Sequence, residues 1–321
     1  MMSCEVEDVE PSPSSLIVPD HFPAMSFPSD NSFSESRWEL GKKLFFDPAL
    51  SRDSSISCGS CHKADFALAD DVAISPGVEG RLGSRNSPSL FNVGYLPYLM
   101  REGGVPTLEM QVLVPIQEHA EMDFNIVDAA IRIANNTEYS ALSTRAYNRS
   151  MDAFVITRAL ATYQRTMISG NSAYDDYLNG NTQALSPSQK RGMDLFFSSQ
   201  TNCSSCHSGL LLSDHSFANN GLYEVYSDAG RMRLTNDSAD FSLFRVPSLR
   251  NVEYTAPYMH DGSIATLEDV VAHYNSGGSN NPQKSSLIHP LQLSQSEMED
   301  LVNFLKSLSD PSVLTDERFK E

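Results

Sequence analysis

Two short strings constrain this chain more than anything else in it: CGSCH at positions 58–62 and CSSCH at positions 203–207. In each, two cysteines stand three positions apart and a histidine follows at once. This is the pattern by which two thiols add to the vinyl groups of a haem while the adjacent imidazole becomes an axial ligand to iron. Cys58, Cys61 and His62 are therefore the expected attachment and proximal-ligand residues of one haem c, and Cys203, Cys206 and His207 those of a second. A zinc ribbon, a redox dithiol and a disulfide framework are the competing readings of paired CxxC. A zinc ribbon needs both pairs in one small unit, whereas these lie 145 positions apart, and zinc does not require a histidine after each pair.

The chain has 321 residues, enough for about two domains, and 40% apolar residues suffice for ordinary cores. Its 23 Lys and Arg against 41 Asp and Glu give a net charge of −18, which repels phosphate backbones and anionic lipid. Nucleic acid is thereby excluded as an expected partner, and an acidic surface suits a basic one. No apolar run approaches the roughly 20 residues needed to cross a bilayer. The opening MMSCEVEDVEPSPSS lacks the basic and apolar regions of a signal peptide. Haem c is attached outside the cytoplasm, so the expectation is a periplasmic protein whose signal peptide has been removed. The fifth cysteine, Cys4, has two readings: a lipid anchor left by lipoprotein processing, or a plain thiol in a polar tail.

Two haem sites suggest a duplicated unit, and three further blocks recur in order. GKKLFF at 41–46 matches GMDLFF at 192–197, PSLFNV at 88–93 matches PSLRNV at 247–252, and TLE at 107–109 matches TLE at 266–268. The offsets, between 145 and 159, differ only by modest insertions. The reading is a mainly α protein of two cytochrome c-like helical haem domains related by duplication, with long loops. We expect a polar tail over 1–30, a first domain over 31–175 and a second over 176–321. A helix opening on a capping box is expected from Ser294 and Glu297 to Leu308, others around Val155–Tyr163 and Ile126–Ile133, and a further start at Ser186 with Pro187.

The two CxxCH strings, RNSPSLFNV at 85–93, GGVPTLEMQ with the EM at 121–122, and TAPYMHDGSIATLEDVVAHY at 255–274 together resemble the bacterial di-haem cytochrome c peroxidase family, and within it the MauG-like branch. The likeness runs from about Arg37 to Ser309. It implies that the N-terminal haem meets hydrogen peroxide and that the C-terminal haem relays electrons. Relatives that need reductive activation carry a distal histidine seven residues before the RN pair; here that position is Val78, which cannot ligate iron. The family's distal acid–base pair maps onto Gln111 and Glu121. A methionine ligand of the relay haem, fourteen residues beyond the histidine of PYxHDG in the peroxidases, maps onto Tyr274, and MauG-like enzymes use tyrosine there. A phenolate favours high-valent iron and lowers its potential, whereas a thioether raises it. Met259, His260 and His273 are the other candidate ligands nearby.

The resemblance further implies one calcium ion between the haems, held by Asn86, Thr255 and Pro257. A tryptophan that relatives place between the haems is replaced here by Arg101; the single tryptophan, Trp38, lies in the N-terminal helix, and Tyr98 is a substitute for passing charge. The implied function is oxidation by peroxide of a tryptophan or tyrosine on a partner protein, through a bis-Fe(IV) state. Known relatives mature a tryptophan-derived quinone cofactor or, in the MbnH-type group, convert a tryptophan of a periplasmic copper-binding partner to kynurenine. Two alternatives stand beside it: a cytochrome c peroxidase fed by a small cytochrome or cupredoxin, and a non-enzymatic di-haem electron carrier.

Overall fold

A computed structural model describes residues 14–321, so Cys4 lies outside the described residues. The first half is built on α1 (Glu35–Phe46), the short turn α2 (Cys58–Cys61), α3 (Leu108–Gln111), α4 (Leu113–Gln117), α5 (Ile126–Ala134), α6 (Thr137–Tyr147) and α7 (Ala153–Arg165). The second follows with α8 (Ala173–Leu178), α9 (Pro187–Phe196), α10 (Met232–Thr235), α11 (Leu267–Ser276) and α12 (Gln295–Lys306). Strand structure among the described residues is one two-residue antiparallel pair, Phe217–Ala218 with Phe244–Arg245. No helix among them is long and apolar enough to cross a membrane.

The helix starts obey local chemistry. Ser294 caps α12 by accepting from Glu297 N while the Glu297 carboxylate accepts from Ser294 N, and Ser186 and Gln189 do the same at α9 with Pro187 at the first position. Each half then buries one long helix pair. Gly41 of α1 lies so close to α7 that a Cβ would stand 2.1 Å from the Ala159 carbonyl, and Gly192 of α9 meets α12 in the same way, 1.9 Å from the Asp300 carbonyl. A missing side chain at the crossing point lets the backbones approach, and both glycines come from the repeated block that opens each half.

The duplication extends to details that sequence repeats do not reveal. Asn92 and Asn251 are both left-handed (φ 63° and 61°), as are Met100 and Met259 (68° and 76°). The bridges Leu99–Val105 and Tyr258–Ile264 close equivalent loops. The two asparagines meet at Ser169: Asn92 Nδ2 donates to its carbonyl at 2.9 Å and Asn251 Nδ2 to its hydroxyl at 3.0 Å, all three side chains being buried. Ser169 thus marks where the two units face each other.

Two segments depart from the expected domain limits. Residues 14–30, expected as a polar tail, are packed: Phe22 is buried against Ile168 and Leu211, and Arg158 binds Asp30. The chain end also crosses back, with Val313 and Phe319 belonging to the core of the first half and Phe319 packing edge-on to Phe91.

Candidate functional site

Each CxxCH string forms one tight turn with its histidine just beyond it. His62 Nδ1 lies 2.9 Å from the Leu68 carbonyl and His207 Nδ1 lies 3.0 Å from the Leu212 carbonyl. A carbonyl only accepts, so the proton sits on Nδ1 and the Nε2 lone pair is left for a metal, the usual way a second partner orients a ligating imidazole. Leu68 and Leu212 reach these positions with left-handed backbone, φ 58° and 51°. Burial pushes both histidines below their ordinary pKa, which keeps the rings neutral. Cys58, Cys61, Cys203 and Cys206 are free thiols. Cys58 is raised to about 12 and Cys61 to about 11, chiefly by burial, with a hydrogen bond to Ser75 opposing the rise at Cys61. The two pairs sit in different halves, and no group of three or more His, Cys, Asp or Glu able to hold a metal exists among the described residues, so no zinc ribbon is formed.

At the first site, Gln111 ends α3 and its Oε1 is buried without a hydrogen-bond partner among the described residues. A buried acceptor left open is costly unless something beyond the polypeptide meets it. Glu121 acts electrostatically on both Cys58 and Cys61, so it shares their surroundings. Glu121 is reached by solvent, yet the protein around its carboxyl desolvates it and Glu118 repels it, so its pKa is raised above the usual glutamate range. Val78 is fully buried, and its N–H donates to the Glu121 carbonyl at 2.8 Å. That loop is fastened: a Cβ on Gly77 would stand 2.2 Å from the Ala120 carbonyl, Arg81 pairs with Asp123 at 2.7 Å and Arg52 with Glu79 at 2.6 Å.

The second site is a cavity of about 330 Å³, largely apolar, lined by His207, Cys203, Cys206 and Tyr274. Tyr274, on α11, is pushed up to about 12 by burial, opposed by a hydrogen bond from the Asn220 side chain and reinforced by the Cys203 and Cys206 thiols. It therefore stands beside the two attachment sulfurs. His260 lines the same cavity but is stacked on Phe244 at 4.2 Å and feels Asp261, Arg101, Asp228 and Arg85 instead. Met259 also lines it, with its sulfur 3.1 Å from Asn220 Nδ2. His273 does not line it; its Nε2 lies 3.1 Å from the Asn220 carbonyl. Arg245 Nη1, in the cavity wall, is one of four buried side-chain polar atoms without a partner among the described residues, and the one that faces this cavity, as a cavity built for a haem carboxylate would leave it. The donor set and the open polar atoms fit two haems.

The residues of the calcium expectation lie together. Asn86, Thr255 and Pro257 do line one wall, but Asn86 Oδ1 accepts from Arg101 Nη2 at 3.2 Å and its main-chain carbonyl accepts from the same atom at 2.7 Å. Asn86 Nδ2 is turned to the Val72 and Ala73 carbonyls. Arg101 thus lies on one of the oxygens that the resemblance assigns to the ion. Tyr98 is 47% exposed, packs on Phe217 at 6.3 Å and does not line the cavity. Trp38 packs on Tyr163 at 6.0 Å and donates to Thr166, as a core residue of α1.

Two haem-attachment turns on two copies of one helical unit, one beside Gln111 and Glu121 and the other beside a buried tyrosine, define a di-haem c-type cytochrome built for redox chemistry. Residues 35–183 match the family model "Di-haem cytochrome c peroxidase" and residues 189–309 the model "Cytochrome c". The methylamine utilization protein MauG of Methylophilus methylotrophus is 35% identical over 292 residues, 90% of this chain and 86% of that protein. A cytochrome-c peroxidase of Pseudomonas sp. (strain SCT) is 35% identical over 89% of this chain and 84% of its own length. Among solved structures, a MauG-like protein associated with microbial copper homeostasis superposes with a TM-score of 0.90 at 33% identity, covering 94% of this chain and 97% of that one. The chain belongs to the di-haem cytochrome c peroxidase/MauG family. It is a haem-dependent oxidoreductase with di-haem peroxidase or oxidase activity.

Proposed function

We propose that the chain is a periplasmic MauG-like oxidase that uses hydrogen peroxide to oxidise a tryptophan or tyrosine of a partner protein. The observation that carries this reading is Tyr274, in the His207 cavity beside both attachment thiols, at the position where a peroxidase would have methionine. The haems, when bound, supply the iron at which peroxide is reduced and the oxidising equivalents are held. The chain's own groups do the rest. His62 and His207 offer Nε2 as proximal ligands. Val78, where the resemblance places a distal histidine, would offer the first haem no ligand. Gln111 Oε1 orients peroxide by accepting its O–H, and Glu121 moves a proton from the inner to the outer oxygen, a task suited to a carboxyl with a raised pKa. Tyr274 gives the second iron a hard anionic donor.

The alternative is a peroxidase drawing electrons from a small cytochrome or cupredoxin; Met259 in the cavity wall and the 35% identity to a cytochrome-c peroxidase favour it. The two part on the reducing substrate. Oxidised holoprotein and stoichiometric peroxide should leave a covalent mass change confined to a Trp or Tyr of the true partner, with a small copper-binding protein encoded nearby the first to try, and should turn over reduced cytochrome only slowly. Rapid multiple turnover with the cytochrome and an unmodified partner would select the peroxidase.

A further inference from the structure

The wall shared by the two halves carries two guanidiniums that have no carboxylate partner among the described residues. Arg85, beside them, is matched by Asp228 at 2.7 Å and by Glu102 at 2.5 Å. Arg101 and Arg245 are not. Arg101 gives Nε and Nη2 to Asn86, at 3.2 Å and 2.7 Å from its carbonyl, and no bond among the described residues uses its Nη1, while Arg245 leaves its own Nη1 open. Burial pulls both down to about 10, yet both remain charged at neutral pH. Both side chains are half-buried, Asp261 and Glu102 act on Arg101 only from a distance, and the buried Nη1 of Arg245 meets no partner among the described residues, an arrangement that suits an arriving anion. Both line the cavity that holds His207.

The same residues stitch the halves together. Arg245 N donates to the Arg101 carbonyl at 2.7 Å, Asn86 N donates to the His260 carbonyl at 2.9 Å, and Arg245 Nε donates to the Met100 carbonyl at 3.4 Å. This is the place at which the family resemblance puts a divalent ion, and here protein groups make the bridge directly.

We propose that Arg101 and Arg245 together replace that ion: their two positive charges hold the propionates of the His207 haem, and Arg101 occupies the Asn86 oxygens that would otherwise ligate calcium. The inter-haem region is therefore built without calcium. The inference rests on the haem assignment and not on the identity of the protein substrate. The resemblance implies a tryptophan at position 101, so arginine there would both remove an aromatic stepping stone and supply the ion's charge.

The test uses the wild-type holoprotein purified in calcium-containing buffer. Elemental analysis should find no stoichiometric calcium, dialysis against a calcium chelator should leave the haem absorption and the melting temperature unchanged, and calorimetric titration with calcium chloride should show no binding. One equivalent of calcium, lost to the chelator with a change in the haem spectrum, would overturn the proposal. Arg101→Gln, loaded with both haems, should lower the potential of the relay haem, because a positive charge is lost, and should make its spectrum respond to added calcium. If that variant keeps the wild-type potential and stays indifferent to calcium, Arg101 is not the substitute. The wild-type metal content decides the matter on its own if the variant does not load haem.

Discussion

Replacing Tyr274 with phenylalanine should leave both haems attached and abolish the long-lived oxidised state that follows peroxide addition. Attachment needs only Cys58, Cys61, Cys203, Cys206 and the two histidines, all of which the variant keeps. The atom lost is the phenolic oxygen that α11 brings to the His207 cavity beside both thiols. Phenylalanine keeps the ring and the packing in a wall shared with Val271 and Leu267, so stability should change little. On the proposed reading, what disappears is an anionic ligand that favours oxidised iron. We expect the lifetime of the oxidised state to fall at least ~100-fold, about 2.7 kcal/mol of lost stabilisation. Stopped-flow absorption and electron paramagnetic resonance of the variant measure this. A state as long-lived as in the wild type would show that Tyr274 is not the ligand.

The second large effect is expected on the peroxide side. Gln111→Ala and Glu121→Gln should each slow the reaction of the oxidised protein with peroxide by about 10²–10⁴-fold, the range for a positioned acid–base group. The double variant should lose less than the product of the two, since both groups act on one bound molecule. The pH dependence has a definite sign. Only the carboxylate form of Glu121 accepts a proton, and desolvation raises its pKa above that of an ordinary glutamate. The rate should therefore fall on acidification, and begin to fall at a higher pH than an ordinary glutamate would dictate. In Glu121→Gln that dependence should vanish. An unchanged rate and pH profile in both variants would remove the pair from the site.

Much of this architecture is legible in the amino-acid sequence. The Ser294 and Ser186 helix starts follow from local hydrogen bonding between residues three apart, which a sequence displays directly. The haem turns are equally local. By contrast, Phe22 under Arg250 and Phe319 against Phe91 are contacts between residues hundreds of positions apart, and the apolar residues of 14–30, broken up by three prolines, follow no helical or strand period to announce how they pack. The surroundings of Asn86 are hidden for the same reason. Position 101 is plainly not tryptophan, but whether its guanidinium turns to solvent or to Asn86 depends on a loop that closes through the Leu99–Val105 bridge. The open Oε1 of Gln111 is likewise a property of the folded cavity: resemblance can match the residue, and only the fold shows that nothing among the described residues satisfies it.

Everything proposed for the reaction depends on one asymmetry: the first haem is open to peroxide while the second is held by His207 and Tyr274. The decisive measurement is a pair of spectra of the oxidised holoprotein, taken before and after one equivalent of peroxide with no reductant added. The expected result is one high-spin five-coordinate haem, one low-spin haem without a methionine-to-iron charge-transfer band, and immediate conversion to a persistent oxidised state. A methionine band, or no reaction until the protein has been partly reduced, would contradict it.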